Sequence, residues 1–351
     1  MIAAFEAGLR AGPDYPYALA GLANLVADKK HKLRAVALAR AAIAAGGDDA
    51  RTLRRARAVL HALIPGYHVP MMNDARRNLA WDKALRRAVR PGMQVLEIGT
   101  GAGMLAMMAA RAGAARVVTC EKDEVAAALA RELAARNGYG DRIVVVGKRS
   151  QDLRLGVDLE RPADLLFCDI FADNLFNFDP LSAIADVKAR LLAPGAPIVP
   201  AAASLQVALG HWRSYDRIGH IDHAAGFDLS PMADFAAAKQ SLEVGDPNIA
   251  LVAAPEQGLR FVFAAASPSL QGDGEVVCTA PADAEANGIV YWIRLELDDE
   301  TVLEARPEPG AVFFSRMVFQ PLRAPRRLRA GEKIPIALRY FGNEFEAWIA
   351  A

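Results

Sequence analysis

The chain has 351 residues, 53% hydrophobic and 23% charged, enough for a sizeable core and two or more domains. Its 41 basic and 41 acidic residues cancel, so net charge draws it to neither nucleic acid nor a membrane surface, and no apolar run reaches the ~20 residues of a membrane helix. Cys120, Cys168 and Cys278 form no C-x-x-C pair and residues 1–12 lack the pattern of a signal peptide, which argues against a disulfide framework or zinc site and suits a reducing, cytoplasmic setting.

Residues 1–63 read as helices. Ile2–Arg10, Tyr17–Ala27, Lys32–Ala45 and Asp49–Leu63 carry apolar residues at helical spacing, separated by Gly12-Pro13-Asp14, Asp28-Lys29-Lys30 and Gly46-Gly47-Asp48-Asp49. Short turns and small residues make this a tetratricopeptide-like segment, which either covers the next domain or offers a groove to a peptide partner. Ile64-Pro65-Gly66 ends it. Tyr67 to Arg77 reads as loop and Arg77–Val89 as helix.

Strands 93–98, 115–120, 142–147 and 163–168 then alternate with helices 104–112, 123–136 and 180–191. That alternation predicts an α/β domain over 64–197, with a parallel, Rossmann-like sheet. From residue 198 to the end, segments 198–209, 259–266, 274–279, 288–297, 311–320 and 333–349 read as strands between Gly, Pro and Asp turns. They predict an antiparallel, barrel-like domain, interrupted by a polar, partly helical insert at 211–250. His211, His220, Asp222 and His223 in that insert, and the basic run Arg323, Arg326, Arg327 and Arg329, read as solvated positions; no metal is expected.

The chemistry sits in Val95-Leu96-Glu97-Ile98-Gly99-Thr100-Gly101-Ala102-Gly103-Met104-Leu105. An apolar strand runs into three alternating glycines, then into a strong helix former. Glycines there let the backbone turn tightly and approach a ligand, and the helix start offers free N–H groups. About twenty residues on, Val117-Val118-Thr119-Cys120-Glu121 ends a second strand in a carboxylate. Nucleotide-binding folds place the acid that holds ribose hydroxyls at this interval. The third glycine of a dinucleotide fingerprint is absent, since Leu105 and Ala106 stand there.

The Glu97-Ile98-Gly99-Thr100-Gly101-Ala102-Gly103 form resembles motif I of class I methyltransferases, which bind S-adenosylmethionine. Three further stretches resemble the protein arginine N-methyltransferase family, closest to its monomethylating and tetratricopeptide-bearing branches. Met71 to Trp81 looks like the family's M-L-x-D-x-x-R-x-x-x-Y helix, Leu192 to Pro200 like its crossing into the barrel, and Gly226-Phe227-Asp228-Leu229-Ser230 like the G-F-D-M-S segment of its dimerisation arm. The likeness covers roughly 64–351. It implies that Arg77 pairs with the cofactor's carboxylate, that Glu97, Gly99, Thr100, Gly101, Gly103 and Leu105 cradle its amino-acid end, and that Glu121 takes the ribose hydroxyls with Lys122 beside it. Arg149 and Ser150 fall where the family contacts adenine, and the arm implies a homodimer.

The family holds its target arginine with two glutamates in one hairpin loop. Here that loop reads Asp169 to Asp179. Asp169 falls on the first glutamate and also borders the cofactor; Phe178 falls on the second, with Asp179 adjacent and Asp173 inside the loop. These three acids are the expected catalytic set. Tyr67, Phe171, Phe178, Ser315 and Arg316 are expected to line the acceptor site, with Phe313-Phe314-Ser315-Arg316-Met317 where the family has a T-H-W loop. Phe167, Phe171, Phe176 and Phe178 read as a pocket wall or as core. The expected activity is direct methyl transfer from S-adenosylmethionine to a nitrogen of a protein or peptide. The alternatives are a non-arginine or small-molecule acceptor on the same scaffold, and a non-catalytic cofactor-binding module.

Overall fold

The computed structural model describes residues 15–27, 31–265, 269–308 and 316–350. The expected helix at 2–10, the turns at 12–14 and 28–30, and Phe313, Phe314 and Ser315 lie outside the described residues. The chain divides into two compact units: residues through Asn73 with Pro91–Glu160, and Asp74–Arg90 with Arg161 onward.

In the first unit, helices α1 (Pro16–Val26), α2 (Lys32–Gly46) and α3 (Ala50–Leu63) match the expected segments to within a residue or two. They close on small buried residues, Ala20, Ala23, Ala35, Ala39, Ala42 and Ala56, so their axes approach closely. The stretch read as loop before Arg77 contains helix α4 (His68–Asn73). Pro70 is compatible with that helix because it sits in the first turn, where its missing N–H has no helical partner to lose.

Strands β1 (Gln94–Ile98), β2 (Arg116–Cys120) and β3 (Ile143–Val146) pair in parallel, with β2 in the middle. Helices α6 (Met104–Ala112) and α7 (Glu124–Arg136) follow the first two strands; α5 (Ala75–Ala88), between α4 and β1 in sequence, belongs to the second unit. The N-terminal helices pack on α7. Val125 joins their core, and Lys32 and Arg40 bond Asp123 (2.8 Å) and Glu132 (2.5 Å). Asp123 also caps α7, accepting from the N–H groups of Val125 and Ala126. Burial raises its pKa, but the Lys32 ammonium and these donors more than offset that, and the carboxyl titrates below its ordinary value. A depressed folded-state pKa stabilises above the unfolded value and stops doing so as pH falls through the folded one. Asp123→Ala is therefore expected to cost about 1 kcal/mol at pH 7, with the gap between the two proteins closing below pH ~4 in chemical denaturation.

In the second unit, helix α5 (Ala75–Ala88) is capped by Asp74, which accepts from Arg77 N–H. Strands β4 (Leu165–Cys168) and β5 (Ile198–Val199) pair in parallel, and α8 (Pro180–Arg190) lies between them in sequence. Segment 198–209, read as one strand, is two. Pro200 lacks the N–H to continue the ladder, and the chain starts afresh as β6 (Ala202–Trp212), which is antiparallel and almost wholly buried.

The insert holds helix α9 (Tyr215–Ile218), a hairpin of β7 (His223–Ala224) and β8 (Phe227–Asp228), and strands β9 (Gln240–Glu243) and β10 (Ile249–Leu251). The last two belong to the main sheet, so less of the insert is free arm than the polar composition suggested. Then come β11 (Glu256–Val262), β12 (Gln271–Thr279), β13 (Ala284–Glu296), β14 (Val302–Glu304) and β15 (Arg316–Leu328). Segment 333–349 is a hairpin, β16 (Lys333–Phe341) and β17 (Glu344–Ile349), turning at Gly342-Asn343, a two-residue turn sequence that reading as one strand overlooked. Sheet order is β10-β6-β13-β15-β9, with β11 also on β6 and β14 on β13; β12-β16-β17 forms a second sheet. The expected class, Rossmann-like parallel strands followed by an antiparallel domain and preceded by helices, is the observed one. Among the described residues no helix is long and apolar enough to cross a membrane, and no group of three His, Cys, Asp or Glu is placed to hold a metal.

Candidate active site

The glycine loop of the first unit runs from the end of β1 into α6. Gly99, Gly101 and Gly103 all have positive φ, at 81°, 52° and 80°, the region that side chains disfavour. Gly99 and Thr100 both donate their N–H to the Cys120 carbonyl, pinning the loop to the end of β2. Gly103 caps α6, and a Cβ there would stand 3.3 Å from that of Ala130. Gly101 faces His68 instead: a Cβ would stand 3.1 Å from His68 Cε1.

Glu121 lies across this loop. One carboxylate oxygen accepts the Gly101 N–H (3.1 Å) and the other the Asp123 N–H (2.9 Å). Two backbone donors fix the plane of the carboxylate and leave lone pairs for a diol. Beside it lie Tyr67 and His68, whose rings are 4.6 Å apart. Burial raises the Tyr67 phenol, with Glu121 and Asp123 adding to it. Burial lowers the His68 imidazole against the pull of the same two acids. His68 is 8% exposed and, among the described residues, its Nδ1 has no hydrogen-bond partner. Sequence reading missed this residue because the loop it was assigned to is helix α4, which turns the ring onto Gly101. An unsatisfied buried nitrogen, a glycine cradle and an oriented carboxylate fit a nucleoside bearing a polar tail.

Beneath the loop, Glu97 is 1% exposed and accepts from Thr119 Oγ1 at 2.5 Å. Thr119 Oγ1 is also 2.5 Å from Thr100 Oγ1. Cys120 is buried, and burial pushes its thiol up to about 12, so it is inert. Leu105 faces the core of α6; Lys122 and Arg149 are exposed; Ser150 is buried and bonds Gln151.

In the second unit, Arg77 is buried on α5 and its guanidinium donates through Nε (2.8 Å) and Nη2 (2.5 Å) to Asp169 Oδ2. The loop after β4 is anchored by Phe176, which stacks on Tyr340 and Phe345. Phe171 stacks on Phe263, and Phe167 is fully buried. Phe167 on β4 and two of the three loop phenylalanines are thus core, and only Phe178 is exposed. Asp173 has both oxygens engaged, one by Asn177 Nδ2 and the other by Ser241 Oγ. Arg316 donates to that Ser241 hydroxyl and to its carbonyl. Asp179 is exposed, in the left-handed region (φ 52°), and does not cap α8 with its side chain.

Residues 82–196 match the family model described as ribosomal protein L11 methyltransferase. The chain is 33% identical over 279 residues to an arginine N(omega)-methyltransferase of Streptomyces achromogenes, covering 78% of this chain and 76% of the relative. It is 30% identical over 262 residues to protein arginine N-methyltransferase 7 of Drosophila grimshawi, covering 68% of this chain but 37% of the relative. The chain therefore spans three quarters of the first relative and little more than a third of the second. Among solved structures, the Trypanosoma brucei PRMT1 enzyme-prozyme complex with AdoHcy superposes with a TM-score of 0.71 at 21% identity, over 80% of this chain and 91% of that one. Arabidopsis thaliana protein arginine methyltransferase 10 gives 0.65 at 17% identity, over 80% and 95%.

Proposed function

Since the chain belongs to the arginine N-methyltransferase family, and is thus an S-adenosylmethionine-dependent methyltransferase, we propose that it methylates a guanidinium nitrogen of arginine in a protein or peptide. The observation that carries the reading is Asp169, a carboxylate at the family's acceptor position that already accepts from both edge nitrogens of a guanidinium. When bound, the cofactor supplies an electrophilic methyl group on a sulfonium. The chain's own residues do the rest. Glu121 and the glycine loop hold the nucleoside, and His68 Nδ1 meets a polar group of it. Arg77 serves the cofactor's carboxylate, the bidentate task its planar fork suits.

A guanidinium is protonated and delocalised, so no lone pair is free at rest. A carboxylate fixes its plane, draws positive charge to one nitrogen and leaves the other aimed at the methyl carbon. Asp169 takes that role. Asp179 is the better second acid, because Asp173 is committed to Asn177 and Ser241. The methylated nitrogen then sheds one proton to water. Arg316, held on Ser241, orders the far side of this loop.

A free-arginine acceptor is the second reading, favoured by the Streptomyces relative, whose name specifies arginine without a protein. Presenting free arginine and an arginine-containing peptide at equal concentration separates the two: the proposal expects kcat/KM higher for the peptide, and the reverse order transfers the assignment to the free amino acid. The arm exposes Ile218, Phe227, Met232 and Phe235, and a homodimer through it is expected to sediment at twice the chain mass, shifting to monomer in Phe235→Asp.

A further inference from the structure

Helices α2 and α3 do not close completely on α7. Leu33 and Val36 of α2, Leu60 of α3, Ile64 just past its end, and Val125 and Leu129 of α7 line a cavity of about 170 Å³, with the Arg40–Glu132 ion pair at its polar edge. Leu33 is 44% exposed, and Val36, Leu60, Ile64 and Leu129 are only half-buried. A helical segment that served only as a cover would bury these side chains, since each large apolar one contributes about 1.5–3 kcal/mol when fully buried.

The face of α3 beside this cavity carries one sign of charge. The helix has four arginines and no acid. Arg51 and Arg55 lie against Tyr17, 5.8 and 4.9 Å from its ring centre, and Arg51 also reaches Asp49 at 3.5 Å. Arg54 and Arg57 are exposed and, among the described residues, make no ion pair. Arg57 stands one turn before Leu60, and Arg54 one turn before Arg57, so a line of cations leads to the lip of the cavity. Like charges at this spacing oppose each other, and a partner of opposite charge relieves that repulsion. An arginine-bearing acceptor is repelled by such a face, and a nucleic acid has no use for the apolar cavity beside it. Carboxylates flanking an apolar side chain match both features. We propose that this surface docks an acidic amphipathic segment of a partner protein, with an apolar side chain in the cavity and carboxylates over Arg54 and Arg57.

The probes are labelled helical peptides with leucine along one face and glutamate, glutamine or lysine over the rest, together with a uridine oligonucleotide. Fluorescence anisotropy with the full chain should show the glutamate peptide binding about fivefold tighter than the glutamine one, the increment that two exposed ion pairs supply. That advantage should fade at high salt, and the lysine peptide should bind most weakly. Arg54→Glu combined with Arg57→Glu should invert the order, so that the lysine peptide binds best. Leu33→Gln should weaken all the peptides alike. None of these positions belongs to the cofactor or acceptor site, so unchanged S-adenosylhomocysteine binding shows that the variants remain folded. Failure to bind the glutamate peptide, equal binding of the glutamate and lysine peptides, or no response to the charge reversal overturns the proposal. Tighter binding of the oligonucleotide would assign the surface to nucleic acid, and self-association that Arg57→Glu abolishes would assign it to a second copy of the chain; either result overturns the proposal as well.

Discussion

Glu121→Ala is expected to weaken S-adenosylhomocysteine binding by about 100-fold or more. The carboxylate would make two charge-assisted bonds to the ribose, each contributing about 1.5–3 kcal/mol when water is excluded. The variant also strips an acceptor from the N–H groups of Gly101 and Asp123, so the loop loses its brace as well as its ligand. Glu121→Gln keeps one acceptor oxygen and should fall between. Titration calorimetry measures both; a change under about threefold in the alanine variant, less than ~1 kcal/mol, would show that Glu121 does not touch the nucleoside.

Asp169→Asn is expected to lower kcat by about 10²–10³-fold, the range seen when one group that stabilises developing charge is removed. Cofactor affinity should fall far less than kcat, since asparagine keeps an oxygen for Arg77. Asparagine is the substitution of choice because Arg77 is buried. Alanine would leave that guanidinium with neither counter-charge nor acceptor, at a cost of about 3–5 kcal/mol, and lost folding would masquerade as lost catalysis; asparagine loses the charge but keeps an acceptor oxygen. Single-turnover rates at saturating cofactor distinguish the two. An Asn variant that turns over as wild type does would move the acceptor carboxylate to Asp179.

Much of the fold was legible because its signals are local. Gly103 and Gly113 bound α6 at the residues expected, both with positive φ, and α7 ends at Arg136, the expected residue, just before Asn137-Gly138. Strand ends were less legible where pairing decides them. Nothing within 198–209 except Pro200 says that Val199 pairs with Phe167 while Ala202 pairs with Glu296. That Glu121 meets the glycine loop could be read from spacing, since it follows the glycines at a fixed interval along a strand–helix–strand unit. His68 could not: its place comes from a three-dimensional neighbour, the ring lying on Gly101. The acceptor loop was legible in part. Asp169 was placed by its position after β4. That Asp173 is tied to Ser241, and that Phe167, Phe171 and Phe176 are core rather than pocket, depends on residues some 70 to 170 positions away.

The central claim is that a guanidinium nitrogen of arginine receives the methyl group. It is tested most directly by incubating the protein with methyl-labelled S-adenosylmethionine and arginine-containing peptides, hydrolysing the product to amino acids and identifying the labelled one. Label is expected in ω-N-methylarginine and is lost in Asp169→Asn. Label in any other amino acid, or arginine methylation unchanged in both Asp169→Asn and Glu121→Ala, would contradict it.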